Sequence, residues 1–205
     1  MKSIYDFIIT PKQGRYNNEK KVGDKTLIVN SNIEDHRLVS KEAIIVSVPL
    51  AFKTILKVGD EIMVHHNIFR RWYDVKGTDR NSGQYFKEDL YFCKIDQVYL
   101  HKQNDVWSAI GNRCFVKPIK DINNLTTDLE RKHIGILKYG NSSLEALGIS
   151  PEDLVGFKPG REWEFIIDGE RLYCMKSNDI VIKYEYEGNE VEHNPSWARS
   201  CWGTY

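Results

Sequence analysis

One passage of the chain is written twice. Leu90-Tyr91-Phe92-Cys93-Lys94-Ile95-Asp96-Gln97-Val98-Tyr99-Leu100 returns as Leu172-Tyr173-Cys174-Met175-Lys176-Ser177-Asn178-Asp179-Ile180-Val181-Ile182. Other short blocks recur in the same order, which a chance match of one window would not preserve. Phe7-Ile8-Ile9-Thr10-Pro11 is echoed by Cys114-Phe115-Val116-Lys117-Pro118, and Val58-Gly59-Asp60-Glu61-Ile62-Met63-Val64 by Pro151-Glu152-Asp153-Leu154-Val155-Gly156-Phe157. Between them lie Glu42-Ala43-Ile44-Ile45-Val46 and Lys132-His133-Ile134-Gly135-Ile136, each an apolar run of strand length. Strand-like blocks that occur twice in one order predict a duplicated β-domain.

A chain of 205 residues buries one large core or two small ones of roughly 100 residues each. The repeat favours two, with a boundary near residues 105–112. Residues 1–107 form the first predicted domain, 108–187 the second, and 188–205 a C-terminal tail. Val, Ile, Tyr and Phe cluster in short runs broken by Gly, Asn, Asp and Pro, so the fold class is mostly β. Closing such strands into a small barrel removes sheet edges and suits a domain of this size. The best helical candidate, Ser142-Ser143-Leu144-Glu145-Ala146-Leu147, opens on a Ser N-cap and stops at Gly148, enough for a single turn.

Lys plus Arg equal Asp plus Glu, giving zero formal net charge. The whole-molecule field therefore gives no bulk attraction to nucleic acid or to an anionic membrane. The apolar runs fall far short of the roughly 20 residues that span a bilayer, and Met1-Lys2-Ser3-Ile4 does not open a secretory signal. A cytoplasmic protein is expected, with Cys93, Cys114, Cys174 and Cys201 reduced and structural.

Two stretches break the strand rhythm. Residues 14–41 are polar and charge-mixed, longer than loops usually run inside compact domains, and Thr26-Leu27-Ile28-Val29-Asn30 sits in their middle. Residues 65–88 carry Phe69-Arg70-Arg71-Trp72-Tyr73 and then a turn-rich run, and read as an inserted lobe. Guanidinium groups beside aromatic faces make Phe69, Arg70, Arg71, Trp72 and Tyr73 a candidate partner contact, with packing of the lobe onto its own domain as the plainer alternative. His65-His66 lacks a partner at metal-ligand spacing, so no metal is expected. No G-x-S-x-G elbow places a nucleophile and no glycine-rich phosphate loop is present. The chain is read as having no catalytic residues and no cofactor. The aromatic tail, with Trp197 and Trp202, is expected to pack on a domain or a neighbouring subunit.

In this order the blocks resemble the small co-chaperonins of the GroES type, more narrowly a tandem, double-domain form like that of chloroplasts. Asp6-Phe7-Ile8-Ile9 resembles the family's opening strand, residues 14–41 its mobile loop, and residues 43–48 its second strand. Lys57-Val58-Gly59-Asp60 resembles its turn, and Asp96-Gln97-Val98-Tyr99-Leu100 its closing strand. Residues 113–118, 133–137, 151–155 and 178–182 supply the second copy. The resemblance implies two tandem GroES-like β-barrels, a homo-oligomeric ring, and a lid on a GroEL-type chaperonin that itself binds the ATP. It also implies that Leu27, Ile28 and Val29 are the tripeptide that docks on the chaperonin. The second copy has only residues 121–132 at the loop position, with Leu125 and Leu129 apart, so weak or no docking is expected there. The family's roof hairpin is not evident between Val48 and Lys57, and neither the lobe nor the tail has a counterpart. The rival expectation is a structural assembly protein, such as a viral head or tail component, built from the same domains. A nucleic-acid-binding barrel rests on the lobe alone and is opposed by neutral charge.

Overall fold

The computed structural model describes residues 2–17, 19–22, 25–28, 34–35, 37–121, 129–185 and 188–200. They are mostly β and group into two compact units, residues 1–107 and 108–205. The first unit contains β1 (Phe7–Pro11), β2 (Glu19–Val22), β3 (Lys25–Ile28), β4 (Glu42–Ser47), β5 (Glu61–Val64), β6 (Arg71–Tyr73), β7 (Asp79–Asn81), β8 (Tyr85–Lys87), β9 (Leu90–Cys93) and β10 (Val98–Gln103), and the chain leaves it through β11 (Val106–Ala109). The second contains β12 (Arg113–Lys120), β13 (Glu130–Tyr139), α1 (Ser142–Glu145), β14 (Leu154–Phe157), β15 (Trp163–Ile167), β16 (Glu170–Lys176), β17 (Ile180–Lys183) and α2 (Ser196–Ser200).

The main sheet of the first unit runs β11-β10-β5-β4-β1-β9-β8, and that of the second β15-β16-β12-β13-β14-β17. Read in opposite directions, they share six strands in one order, and β11 has no counterpart in the second. β10, β5, β4, β1, β9 and β8 correspond in turn to β17, β14, β13, β12, β16 and β15. Alternation along β4 shows why these strands form: Ala43, Ile45 and Ser47 are buried while Ile44 and Val46 are not, the period-two pattern of a half-buried strand. Phe7, Ile9, Ile45, Ile62 and Leu100 fill the first core; Phe115, Val116, Leu137, Val155 and Leu172 fill the second.

The correspondence holds residue by residue. Phe7, Ile8 and Ile9 pair with Cys93, Phe92 and Tyr91, as Cys114, Phe115 and Val116 pair with Met175, Cys174 and Tyr173. β1 meets β4 with a bulge between Ile8 and Ile9, and β12 meets β13 with a bulge between Phe115 and Val116. β10 and β17 repeat a second shared irregularity against β5 and β14. The turn before β5 recurs as well. Asp60 Oδ2 accepts from Lys57 N at 2.9 Å, and Asp153 Oδ2 accepts from Ser150 N at 2.7 Å. Gly59 N donates to Ile45 O at 2.8 Å, as Glu152 N donates to Leu137 O at 2.7 Å. Gly59 and Glu152 both have positive φ, +93° and +73°.

One sequence correspondence shifts. Matching apolar runs sets Ile44 against Ile134, whereas the ladders set Ile44, opposite Thr10, against Ile136, opposite Lys117. The displacement is two residues, which returns each side chain to the same face of the sheet, so the hydrophobic pattern cannot detect it. Closed barrels are also expected from the sequence, but the described ladders are open. The first ends on β11 and β8, the second on β15 and β17. These ends are short strands, and β8 and β17 carry Lys87 and Lys183, features that blunt an edge without closing it. The single helical turn forms with a different cap: Asn141, not Ser142, accepts from Ser143 N and Leu144 N at 3.1 and 3.2 Å. The described part of the tail, residues 188–200, packs on the second unit; Cys201 and Trp202 lie outside the described residues. Lys120 N donates to Val191 O, His193 N donates to Pro118 O, and Ala198 is buried.

Candidate functional site

Two long insertions separate the first unit from the second. Between β1 and β4 it carries residues 12–41, where the second unit has 121–129 between β12 and β13. Between β5 and β8 it carries residues 65–84, where the second has 158–162 between β14 and β15.

The long loop has a paired root. Tyr16 bridges Val39 antiparallel, Asn17 N donates to Leu38 O at 2.7 Å and Ser40 N to Arg15 O at 3.1 Å, and Val39 is buried. Beyond the root, β2 and β3 pair from Glu19↔Ile28 to Val22↔Lys25. Leu27 and Ile28 lie on β3 and are 52% and 67% exposed. Consecutive strand residues face opposite sides, so the two aliphatics lie on opposite faces of the ribbon, at its root end beside Lys20 and Glu19. Val29, the third member of the expected tripeptide, lies outside the described residues.

The lobe starts with a 3-10 turn, His66–Ile68. His65 Nδ1 accepts from Asn67 N at 3.1 Å, and the His65 and His66 rings stack at 4.5 Å. These two histidines therefore shape the entry to the lobe. Phe69 corrects the expected contact set: it is fully buried and meets Tyr91 edge to face, centroids 4.8 Å apart. It anchors the lobe in the core, because an aromatic ring of this area gains most when removed from water. Arg70 is half-buried, and Arg71 is paired with Asp79 across the β6–β7 ribbon. Trp72 and Tyr73, 37% and 53% exposed, are the members of the set available to a partner. Asp74 closes the ribbon by accepting from Lys76 N and Thr78 N, each at 2.9 Å, and pairs with Arg80 at 2.9 Å.

Root and lobe, far apart in sequence, meet. The Arg15 guanidinium donates to Phe69 O at 2.6 Å, Asn81 Oδ1 at 2.7 Å and Arg70 O at 3.2 Å. It also lies over the Tyr91 and Tyr85 rings at 5.4 and 5.9 Å. Tyr16 Oη accepts from Arg71 N at 2.8 Å, and Glu34 Oε1 accepts from Tyr73 N at 3.1 Å. Sequence reading misses Arg15, Tyr16, Glu34 and Asn81 because bonds across such separations leave no local pattern. A tyrosine and an arginine at the start of a polar run were the only signal.

In the second unit the tyrosine equivalent to Tyr91 is covered differently. Arg171 lies over Tyr173 at 5.0 Å and binds Glu130 and Glu164 at 2.6 and 2.7 Å. The tail adds Trp197 beneath the same guanidinium at 5.8 Å, and Asn194 Oδ1 accepts from Arg171 N. Burial, then the bond to Glu130, push the Tyr173 hydroxyl well above its usual range.

Cys93, Cys114 and Cys174 are free and buried. Burial pushes Cys114 and Cys174 up to about 12 and Cys93 upward too, which suppresses the nucleophilic thiolate. Among the described residues no group of three or more His, Cys, Asp or Glu is placed to hold a metal, and no helix is long and apolar enough to cross a membrane. Comparison with protein-family models and with curated proteins finds no match.

Proposed function

We propose that this chain is a co-chaperonin of the GroES kind, carrying two such domains in tandem and capping a GroEL-type chaperonin through the loop of the first. The observation that carries the reading is the asymmetry between two otherwise register-matched units. One extends a two-stranded ribbon that bears exposed Leu27 and Ile28 at its root end, opposite Lys20 and Glu19, and the other has no equivalent ribbon among its described residues. Two partly exposed aliphatics gain at most about 1.5–3 kcal/mol each on full burial, so one loop binds weakly. A homo-oligomeric ring restores affinity by presenting several loops at once, and weak single contacts let a lid leave. In this scheme the chaperonin hydrolyses the ATP and the chain needs no cofactor. The units are read as GroES-like barrels that stay open at their edges within a single chain.

The test is co-sedimentation with a GroEL-type chaperonin and ATP. The wild-type chain is expected to bind, and the Leu27→Ser/Ile28→Ser variant to lose binding while keeping its unfolding midpoint. Undiminished binding by the variant would overturn the assignment. The ordered loop root favours a second reading, a structural assembly protein such as a viral head or tail component. That reading predicts stable self-assembly without chaperonin, and no chaperonin binding.

A further inference from the structure

Tyr16 and Glu34 belong to opposite limbs of the long loop, yet both bind the same edge of the lobe. Their acceptor oxygens take the amides of Arg71 and Tyr73, alternate residues of β6. The other edge of β6 pairs with β7. Side chains from the loop therefore occupy the place a neighbouring strand would fill, satisfying donors that a free edge leaves to water.

Arg15 fixes the root from beneath. Its fork spans the Phe69 and Arg70 carbonyls and the Asn81 side chain, a planar arrangement that a lysine ammonium cannot reproduce. Phe69 in turn is fastened in the core against Tyr91, and Ser82 Oγ donates to Ile68 O at 2.5 Å. The lobe is thus rigidly based where the loop touches it. The duplication supplies an internal control, since the second unit has neither the long loop nor the lobe while keeping every strand between them. Two insertions that occur together and bind each other act as one device.

We infer that the lobe is the seat of the loop: Arg15, Tyr16 and Glu34 hold both limbs against β6, so that the Leu27–Ile28 ribbon is presented already formed. The inference rests on the co-chaperonin reading for its consequence, which is affinity. A partner that receives a pre-formed ribbon loses less conformational freedom on binding than one that must order a free loop. Arg15 and Tyr16 are positioning residues, which precede the ribbon and lie outside the docking pair Leu27 and Ile28.

The experiment combines hydrogen exchange on the free full-length chain with chaperonin binding, comparing wild type, Arg15→Lys and Tyr16→Phe. Tyr16→Phe alters only the hydroxyl and keeps the ring, which guards against simple misfolding. Both variants are expected to exchange faster at the amides of β2 and β3 while β1, β4 and β9 stay protected. The Kd for chaperonin is expected to rise about tenfold, the loss of one or two well-placed hydrogen bonds, with the same amount bound at saturation. Unchanged exchange at β2 and β3 in both variants overturns the seat. Faster exchange with an unchanged Kd overturns its role in affinity. If the wild-type chain binds no chaperonin, the functional reading fails, and the exchange comparison still decides whether the lobe holds the loop.

Discussion

The two units share a ladder and differ in what hangs from it. Ile9 opposite Tyr91 and Val116 opposite Tyr173 are the same pair in the same place, yet each tyrosine has a different cover. In the first unit an arginine from the root of the loop lies over it; in the second the arginine is on β16 itself and the tail seals it. The comparison separates two kinds of constraint. Strand order, register and bulges answer to the core and are kept in both copies. The insertions lie outside it, and it is there that a rigid scaffold displays function.

Paired core truncations give the strongest test of that equivalence. Ile45 and Leu137 occupy matching positions, opposite Ile9 and Val116, and both are buried. Ile45→Ala and Leu137→Ala are each expected to destabilise their own unit by about 2–5 kcal/mol, read by denaturant unfolding with probes in both units. A loss in one unit only would break the correspondence.

A subtler asymmetry sits at Ala43 and Gly135, which face Pro11 and Pro118. A Cβ on Gly135 would lie 2.3 Å from Lys117 O and 2.5 Å from Val116 Cγ1, so the second sheet is drawn tighter there. Gly135→Ala is expected to cost about 1–3 kcal/mol by overpacking, whereas Ala43→Gly costs about 0.5–1 kcal/mol in backbone entropy plus the loss of one buried methyl, with no clash. Equal losses in thermal unfolding would remove the distinction.

The shared turn allows a reciprocal exchange. Gly59 and Glu152 both have positive φ, a region that disfavours a side chain by about 1–2 kcal/mol. Gly59→Ala is expected to destabilise the first unit by about 1 kcal/mol, and Glu152→Gly to stabilise the second by a few tenths. Urea midpoints moving the other way would show that the turns are not equivalent.

The smallest expected effect concerns acid and the lobe. The amide of Thr78 first, then that of Lys76 and the Arg80 guanidinium, hold the Asp74 carboxyl below its usual range against the opposing effect of desolvation. A lowered folded value means that this stabilisation is present above the ordinary carboxylate pKa and is lost as pH falls through the folded one. The lobe ribbon is therefore expected to loosen below about pH 4, before the core of its unit does. Amide exchange at β6 and β7 between neutral and acid pH checks this, and Asp74→Asn should flatten the dependence.

Much of the ladder was legible in the sequence because its signals are local. Leu90 to Leu100 and Leu172 to Ile182 align strand for strand, down to the 3-10 turns Ile95–Gln97 and Ser177–Asp179 between them. The pairing of Glu42–Ser47 with Glu130–Tyr139 was misread by two residues, a slip to which a two-residue period is blind. Open edges were not foreseeable, since the pattern that fills a sheet face does not record whether the ends of the sheet meet. Leu27 and Ile28 were legible as an aliphatic run in a polar loop, whereas Arg15 bonding to Phe69 and Asn81 depends on tertiary closure. Phe69 was left between a partner contact and packing on its own domain, because composition places an aromatic beside arginines without saying which way it turns; it packs.

Electron microscopy of the chain mixed with a GroEL-type chaperonin and ATP tests the central claim most directly, with the Leu27→Ser/Ile28→Ser variant alongside. The account predicts capped chaperonin ends for the wild type and bare ends for the variant. Bare ends with both proteins, or caps that survive the substitution, would contradict it.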